Sequence, residues 1–113
     1  GCLKASLAAA KALAADGIGA EVIDLRTLVP MDTDAILDSL GKTGRLVIVD
    51  YAHRTCGAAA EIAAIVAEEG FDLLKKPIRR VTTPDVPIPF SPPLEKPLYP
   101  NRDSIAAIAR SLM

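Results

Sequence analysis

Residues 44–69, GRLVIVDYAHRTCGAAAEIAAIVAEE, decide the fold class of this 113-residue chain. The run LVIVD has the continuous apolar character of a strand that is buried on both faces of a parallel sheet. After a short polar turn, apolar residues recur at helical spacing and place one apolar face on the helix that follows. This order predicts an α/β fold, with a strand at 46–50 and a helix from 58 to about 74.

Helices and strands alternate on both sides of this unit. The apolar periodicities, the prolines and the polar residues at helix starts define further elements. In chain order, these are a helix at 3–16, a strand at 20–25, a helix at 33–42, a strand at 78–83 and a helix at 101–113. We therefore expect a three-layer α/β/α fold with a mainly parallel sheet, formed by residues 1–113 as a single domain.

A proline-rich arm, residues 83–100, interrupts this alternation. Seven prolines fall between Pro84 and Pro100, and because each removes a backbone donor, we expect an extended arm without helix or interior strand. The arm carries Val86, Ile88, Phe90, Leu94, Leu98 and Tyr99. This composition is too apolar for a solvated linker. Two alternatives stay open: the arm packs against another subunit or domain through Phe90, Leu94 and Tyr99, or it folds back on its own sheet.

Composition excludes several classes of function. Thirteen basic and 14 acidic residues give a formal net charge of -1, so no strong field attracts nucleic acid or anionic membranes. Two cysteines are too few for a disulfide framework or a zinc site. The apolar start contains two lysines and is shorter than the roughly 20 residues of a membrane span. Since the chain opens without Met and directly in a helix, we expect that an upstream part has been removed.

The turn between the central strand and the next helix is the sharpest local signal. His53, Arg54, Thr55 and Gly57 lie where free amides and the helix dipole favour an anion. They therefore predict either a small-anion or regulatory-ligand site or a capped turn at an interface. Cys56 beside His53 suggests a thiolate and its base, but no further residue completes a catalytic constellation.

Three segments together resemble the transketolase carboxyl-terminal domain family, nearly from end to end. They are AEVIDLRTLVPMDTDAI at 20–36, GRLVIVDYAHRTCGAAAEIAA at 44–64 and TPDVPIPFSPPLEKPLYP at 83–100. Within that family, the HRT turn with its helix and the DVPIPFSPPLE arm look most like beta subunits of pyruvate, branched-chain 2-oxo acid (2-oxoisovalerate) or acetoin dehydrogenases. Transketolase itself and deoxyxylulose phosphate synthase are poorer matches.

The resemblance implies a heterotetrameric multienzyme-complex component that decarboxylates a 2-oxo acid oxidatively and passes the acyl group to lipoamide. The parent enzyme uses thiamine diphosphate and Mg, held by the alpha subunit and by an earlier beta-subunit domain. We therefore assign this chain no catalytic, cofactor-binding or metal residue and expect it to be inactive alone. Expected partners are the alpha subunit, a second beta subunit and the subunit-binding domain of the lipoyl acyltransferase, in the bacterial cytoplasm or mitochondrial matrix.

The resemblance also implies a further strand, placed before the point where this chain begins and between the strands predicted at 20–25 and 46–50. Without it, unpaired backbone groups would be costly where they are buried. We therefore expect these two strands to close together or to borrow a strand. The competing hypothesis is a binding module and not part of an enzyme. It is a stand-alone regulatory domain that binds phosphate or carboxylate at the His53 turn.

Overall fold

The computed structural model describes all residues, 1–113, as five α-helices, two β-strands and two short 3₁₀ turns. The helices are α1 (Cys2–Ala15), α2 (Thr33–Thr43), α3 (Ala58–Glu69), α4 (Pro92–Glu95) and α5 (Arg102–Ser111). The strands are β1 (Val47–His53) and β2 (Arg79–Thr83), and the 3₁₀ turns are Phe71–Leu73 and Lys96–Leu98. None of the helices has the length and apolar character required to cross a membrane.

The sheet consists of β1 and β2, which pair in parallel with α3 as the connection between them. Val49 lies opposite Val81 and Asp50 opposite Thr82, and the register shifts between Asp50 and His53. Both strands were predicted from the sequence, and β1 runs three residues further than expected. The shift falls where β1 leaves the sheet and enters the turn before α3.

Two apolar clusters lie on opposite faces of this sheet. One joins β1 to α2 and α3 and consists of Ile36, Leu40, Ile48, Ala59, Ile62 and Val66. The other joins the sheet to α1 and α5 and consists of Ala9, Leu13, Val81, Ile105 and Ala106. Because Ile48 belongs to the first cluster while Val47 and Val49 pack on the second, β1 alternates between the faces as a strand must. The predicted three-layer arrangement is confirmed.

The strand predicted at 20–25 is absent, and this prediction was wrong. No backbone ladder joins residues 18–27 to β1, whose pairing is confined to β2. A groove of about 720 Å³ is instead lined by residues 18–28, by β1 and by the facing sides of α1 and α2. A strand needs a hydrogen-bonding neighbour as well as an apolar sequence. The expectation that the two segments close together is therefore also wrong, whereas a strand borrowed from another chain stays a prediction.

Helix α3 ends at Glu69, earlier than the predicted boundary near 74. The amide of Gly70 donates to the carbonyl of Val66 at 2.8 Å and closes the last turn. A Cβ at position 70 would lie 2.7 Å from Cδ2 of Leu37, so the glycine allows α2 to approach closely. The apolar pattern beyond it belongs to the 3₁₀ turn and not to a longer helix.

The arm is not extended throughout, so the prediction of an arm without helix was wrong. Residues 92–95 form α4 and residues 96–98 a 3₁₀ turn. Pro92 and Pro93 lie in the first turn of α4, where a missing backbone donor has no consequence because those amides have no partner within the helix. Proline density alone therefore did not exclude a short helix.

Thr83 gives a first testable consequence of the sheet. Its side chain is 1% exposed, and its hydroxyl donates to the carbonyl of Tyr51 at 2.6 Å. Thr83→Val keeps the shape but removes this donor, so we expect the free energy of unfolding to fall by about 1–3 kcal/mol in urea denaturation. Thr82→Val, on the same strand and without a side-chain hydrogen bond, is the control. Equal effects of the two substitutions would contradict the prediction.

Candidate functional site

The turn at residues 53–57 connects β1 to α3 and is held by a carboxylate from the strand. Asp50 accepts hydrogen bonds from the amide of Ala52 at 3.0 Å and from the amide of Ala59 at 3.1 Å. The cap position of α3 is Gly57, which has no side chain to satisfy the helix amides. Asp50 therefore performs the capping role from a distance, and its charge lies at the positive end of the helix.

Gly57 is required by the tightness of this turn. A Cβ at position 57 would lie 2.6 Å from the carbonyl oxygen of His53, which is backbone and has little freedom to move. The preceding Cys56 has a φ of 62°, in the left-handed region that side chains disfavour. The chain is thus wound back on itself between His53 and α3.

Gly57→Ala is expected to lower the free energy of unfolding by about 1–3 kcal/mol, because the added methyl group forces the turn to shift. Thermal or urea denaturation measures this loss. Gly19→Ala is the control, since a Cβ there meets no atom within 4 Å and the residue has no positive φ. A tolerated Gly57→Ala variant, as stable as the control, would show that the turn relaxes without cost.

The start of the arm is bound to this turn. Thr55 donates both its amide, at 3.0 Å, and its hydroxyl, at 2.6 Å, to the two carboxylate oxygens of Asp85. Nε2 of His53 lies 3.1 Å from the carbonyl oxygen of Val86, within hydrogen-bond distance. The amide that the sequence offered to an external anion therefore already has a carboxylate from the arm.

Arg54 also takes part in this connection through its backbone. Its amide donates to the carbonyl of Thr83 at 2.9 Å, and its carbonyl accepts from Nη1 of Arg80 at 3.0 Å. Its side chain makes neither an ion pair nor a hydrogen bond. The structure thus brings together His53, Arg54, Thr55 and Gly57, as their adjacency required, and places Asp85 among them.

The far end of the arm rests on the same strand. The rings of Tyr51 and Tyr99 stack with centroids 5.5 Å apart and an interplanar angle of 22°. The hydroxyl of Tyr99 donates to Glu95 at 2.7 Å, and this bond to the carboxylate raises the pKa of the tyrosine. Tyr99 is therefore fixed to the domain, unlike the other two apolar arm residues singled out by the sequence.

Phe90 and Leu94 project away from the domain. Phe90 is 101% exposed and Leu94 is 63% exposed. The alternative that the arm folds back on its own sheet does not hold for these two residues. The arm leaves a large aromatic ring and a leucine side chain in solvent, which is the chemistry of a contact surface.

Sequence reasoning missed the two carboxylates that organise the site. Asp50 ends the apolar run LVIVD, and Asp85 follows the first proline of the arm. Asp50 carried a usable signal, because an aspartate after a buried strand and before a helix is well placed to accept helix amides. Asp85 carried none, since its partner Thr55 lies 30 residues away in the sequence.

Asp85 gives the site a defined dependence on pH. Its hydrogen bonds from the hydroxyl and then the amide of Thr55 lower the pKa of the carboxyl, and the nearby His53 and Arg54 act in the same direction. Because the folded-state pKa is the lower one, this stabilisation is complete above the unfolded value of about 3.9 and is lost as the pH falls through the folded value.

We therefore expect the Asp85 carboxyl resonance, followed by NMR, to titrate with a midpoint below about 3.9. Thr55→Val removes the stronger of the two donors and is expected to raise this midpoint. A midpoint that does not move in the variant would contradict the role of the Thr55 hydroxyl.

Comparison with known proteins shows a family match over nearly the whole chain. The model of the family described as "Transketolase, C-terminal domain" matches residues 2–105. The chain is 50% identical over 108 residues to the beta subunit of an acetoin:2,6-dichlorophenolindophenol oxidoreductase from Bacillus subtilis, covering 96% of this chain and 32% of the relative. It is 48% identical over 103 residues to the beta subunit of the pyruvate dehydrogenase E1 component of Rickettsia felis, covering 91% and 32%.

A third relative is named for a different substrate. The beta subunit of a 2-oxoisovalerate dehydrogenase from Bacillus subtilis is 38% identical over 112 residues, covering 98% of this chain and 34% of the relative. The chain thus spans about a third of the length of the relatives it matches. Since the family model covers nearly all of its residues, the chain belongs to the transketolase C-terminal domain family.

Proposed function

We propose that the chain is the carboxyl-terminal assembly domain of the beta subunit of a thiamine-diphosphate-dependent 2-oxo acid dehydrogenase. The parent enzyme decarboxylates pyruvate or a branched-chain 2-oxo acid oxidatively and transfers the acyl group to lipoamide. The single observation that carries the assembly role is the fully exposed Phe90, held out by an arm that is fixed at both ends. The three relatives are named for different substrates, which supports a role common to all of them.

The proposed partners follow from the same assignment. They are an alpha subunit, a second beta subunit and the subunit-binding domain of a lipoyl acyltransferase. The complex would lie in the cytoplasm of a bacterium or in the mitochondrial matrix, and relatives of both origins are known. A solvent-exposed aromatic ring on a pre-ordered segment is the kind of residue that contributes most at protein interfaces.

The chain's own residues do not fit the cofactor. No three His, Cys, Asp or Glu side chains lie together in a way that could hold Mg. No buried side-chain nitrogen or oxygen is left without a hydrogen-bond partner. We propose that thiamine diphosphate and Mg are held by other polypeptide of the parent enzyme.

The turn at residues 53–57 supports an interface role better than an anion site. Asp85 already accepts from the amide of Thr55, and Asp50 from that of Ala59, so two of the amide donors at this turn are bound to carboxylates of the chain itself. The stand-alone regulatory module is thus the weaker candidate. An NMR titration with inorganic phosphate that shifts residues 52–58 at micromolar concentration would reverse this order.

A chimera tests the proposal. The matching third of the Bacillus subtilis acetoin oxidoreductase beta subunit is replaced by this chain and co-expressed with the corresponding alpha subunit. We expect the chimera to co-purify with the alpha subunit and to reduce the dye with acetoin as donor. The native subunit and a subunit lacking this third are the controls. A folded chimera that fails to co-purify would contradict the assembly role.

A further inference from the structure

The arm makes hydrogen bonds and a ring stack to the domain at its two ends. The start is held by Asp85 and Val86, and the end by the stacked Tyr99. Residues 87–98 make hydrogen bonds among themselves but none to the rest of the domain. The segment that carries Phe90 therefore has its polar contacts with the domain at the two anchors alone.

All three anchors contact residues of one short stretch of the chain, residues 51–55. Tyr51 stacks on Tyr99, His53 meets the carbonyl of Val86, and Thr55 binds Asp85. Tyr51 and His53 lie at the end of β1, and Thr55 lies in the turn that follows. The end of β1 and the first residues of its turn thus act as a single mount for both ends of the arm, across a sequence separation of 30 or more residues.

We propose that Tyr51, His53 and Thr55 form a mount that sets the direction of the arm, with Thr55 as the positioning residue for Phe90. This proposal rests on the proposed assembly function. It adds that the β1 turn, which need not touch the partner, determines how well the arm binds.

The contacts explain why Thr55 contributes more than Tyr51 or His53 to holding the arm. It makes two bonds to a carboxylate, one of them a short hydroxyl bond of 2.6 Å, whereas the other two anchors make one contact each. Bonds to an ionised acceptor are stronger than bonds between neutral groups. An arm released at this end would have to be ordered again when it binds, and that loss of freedom weakens association.

Two variants of the complete chain test the mount by NMR relaxation. Thr55→Val removes the hydroxyl bond to Asp85 and Asp85→Ala removes both bonds, and the backbone order parameters of Ile88 and Phe90 are expected to fall from about 0.85 to below about 0.6. Asp38→Ala is the matched control for Asp85→Ala, because Asp38 is exposed and makes no hydrogen bond. The thermal midpoint should fall only slightly, and the order parameters of β1 and α3 should stay near about 0.85, which separates a loosened arm from a destabilised domain.

The same substitutions in the chimera measure the effect on assembly. Thr55→Val is expected to weaken binding of the alpha subunit about tenfold, as ordering one or two residues would. Order parameters that stay near the control value overturn the mount. If they fall and Phe90→Ala weakens assembly but Thr55→Val does not, the positioning role is overturned. If Phe90→Ala leaves assembly unchanged, the proposed function fails while the mount itself stands.

Discussion

In the chimeric beta subunit, Phe90→Ala is expected to weaken assembly with the alpha subunit by about 30-fold to 1,000-fold. This range corresponds to the loss of about 2–4 kcal/mol that follows truncation of an aromatic residue at the centre of an interface. The ring has its full surface in solvent within this chain and makes no contribution to the core. The whole effect should therefore appear in binding and none in stability.

Phe71 provides the matched control for this experiment. It is also a phenylalanine, it is 70% exposed, and it lies on the 3₁₀ turn after α3 and not on the arm. Isothermal titration of purified subunits should show a large loss for Phe90→Ala and less than a twofold change for Phe71→Ala. Thermal midpoints of both variants should match that of the parent. Similar affinities for the two variants would remove Phe90 from the interface.

Leu40→Ala is expected to cost about 2–5 kcal/mol of the free energy of unfolding. Leu40 is 2% exposed and packs in the cluster that joins α2, α3 and β1. Total stabilities of domains are only about 5–15 kcal/mol, so this loss removes a large share. A sheet of two strands offers few other contacts to compensate, and the variant should be partly unfolded at 37 °C.

Urea denaturation followed by circular dichroism measures this loss. Leu94→Ala removes the same side chain from a site that is 63% exposed, and it should change the free energy of unfolding by less than about 0.5 kcal/mol. A Leu40→Ala variant that loses less than about 1 kcal/mol would show that the cluster collapses around the cavity, and the packing described for α2 would then be incorrect.

Local sequence was sufficient for the elements whose signals are local. The runs LVIVD and IRRVTT gave both strands of the sheet. Asp32 accepts from the amide of Ala35, and Asn101 closes a capping box with Ser104, as expected at the starts of α2 and α5. These features depend on residues within one turn of each other, so the chain alone determines them.

Strand pairing and long-range contacts could not be predicted from local sequence. The segment AEVIDL has the composition of a strand, but whether it forms one depends on a neighbour, and β1 leaves that side unpaired. The predicted helix ran past Gly70, where the approach of Leu37 leaves no room for a Cβ. In both cases a residue from another element decides the outcome.

The same distinction between local and long-range features applies to the candidate site. His53 and Thr55 were identified because they precede a helix, which is a local property. Their role could not be identified, because the carboxylate of Asp85 reaches Thr55 across 30 residues. The arm was recognised from its prolines and apolar residues, while the direction in which Phe90 points depends on anchors at both of its ends.

The unpaired edge of β1 beside the groove has a consequence for handling the purified chain. A strand with free amides and carbonyls next to apolar side chains is a template for edge-to-edge aggregation with a neighbouring molecule. The strand is bonded on one side alone, and the groove leaves the other side accessible. Concentration, more than temperature, should therefore limit how long the chain stays monodisperse, and dilute samples should keep best.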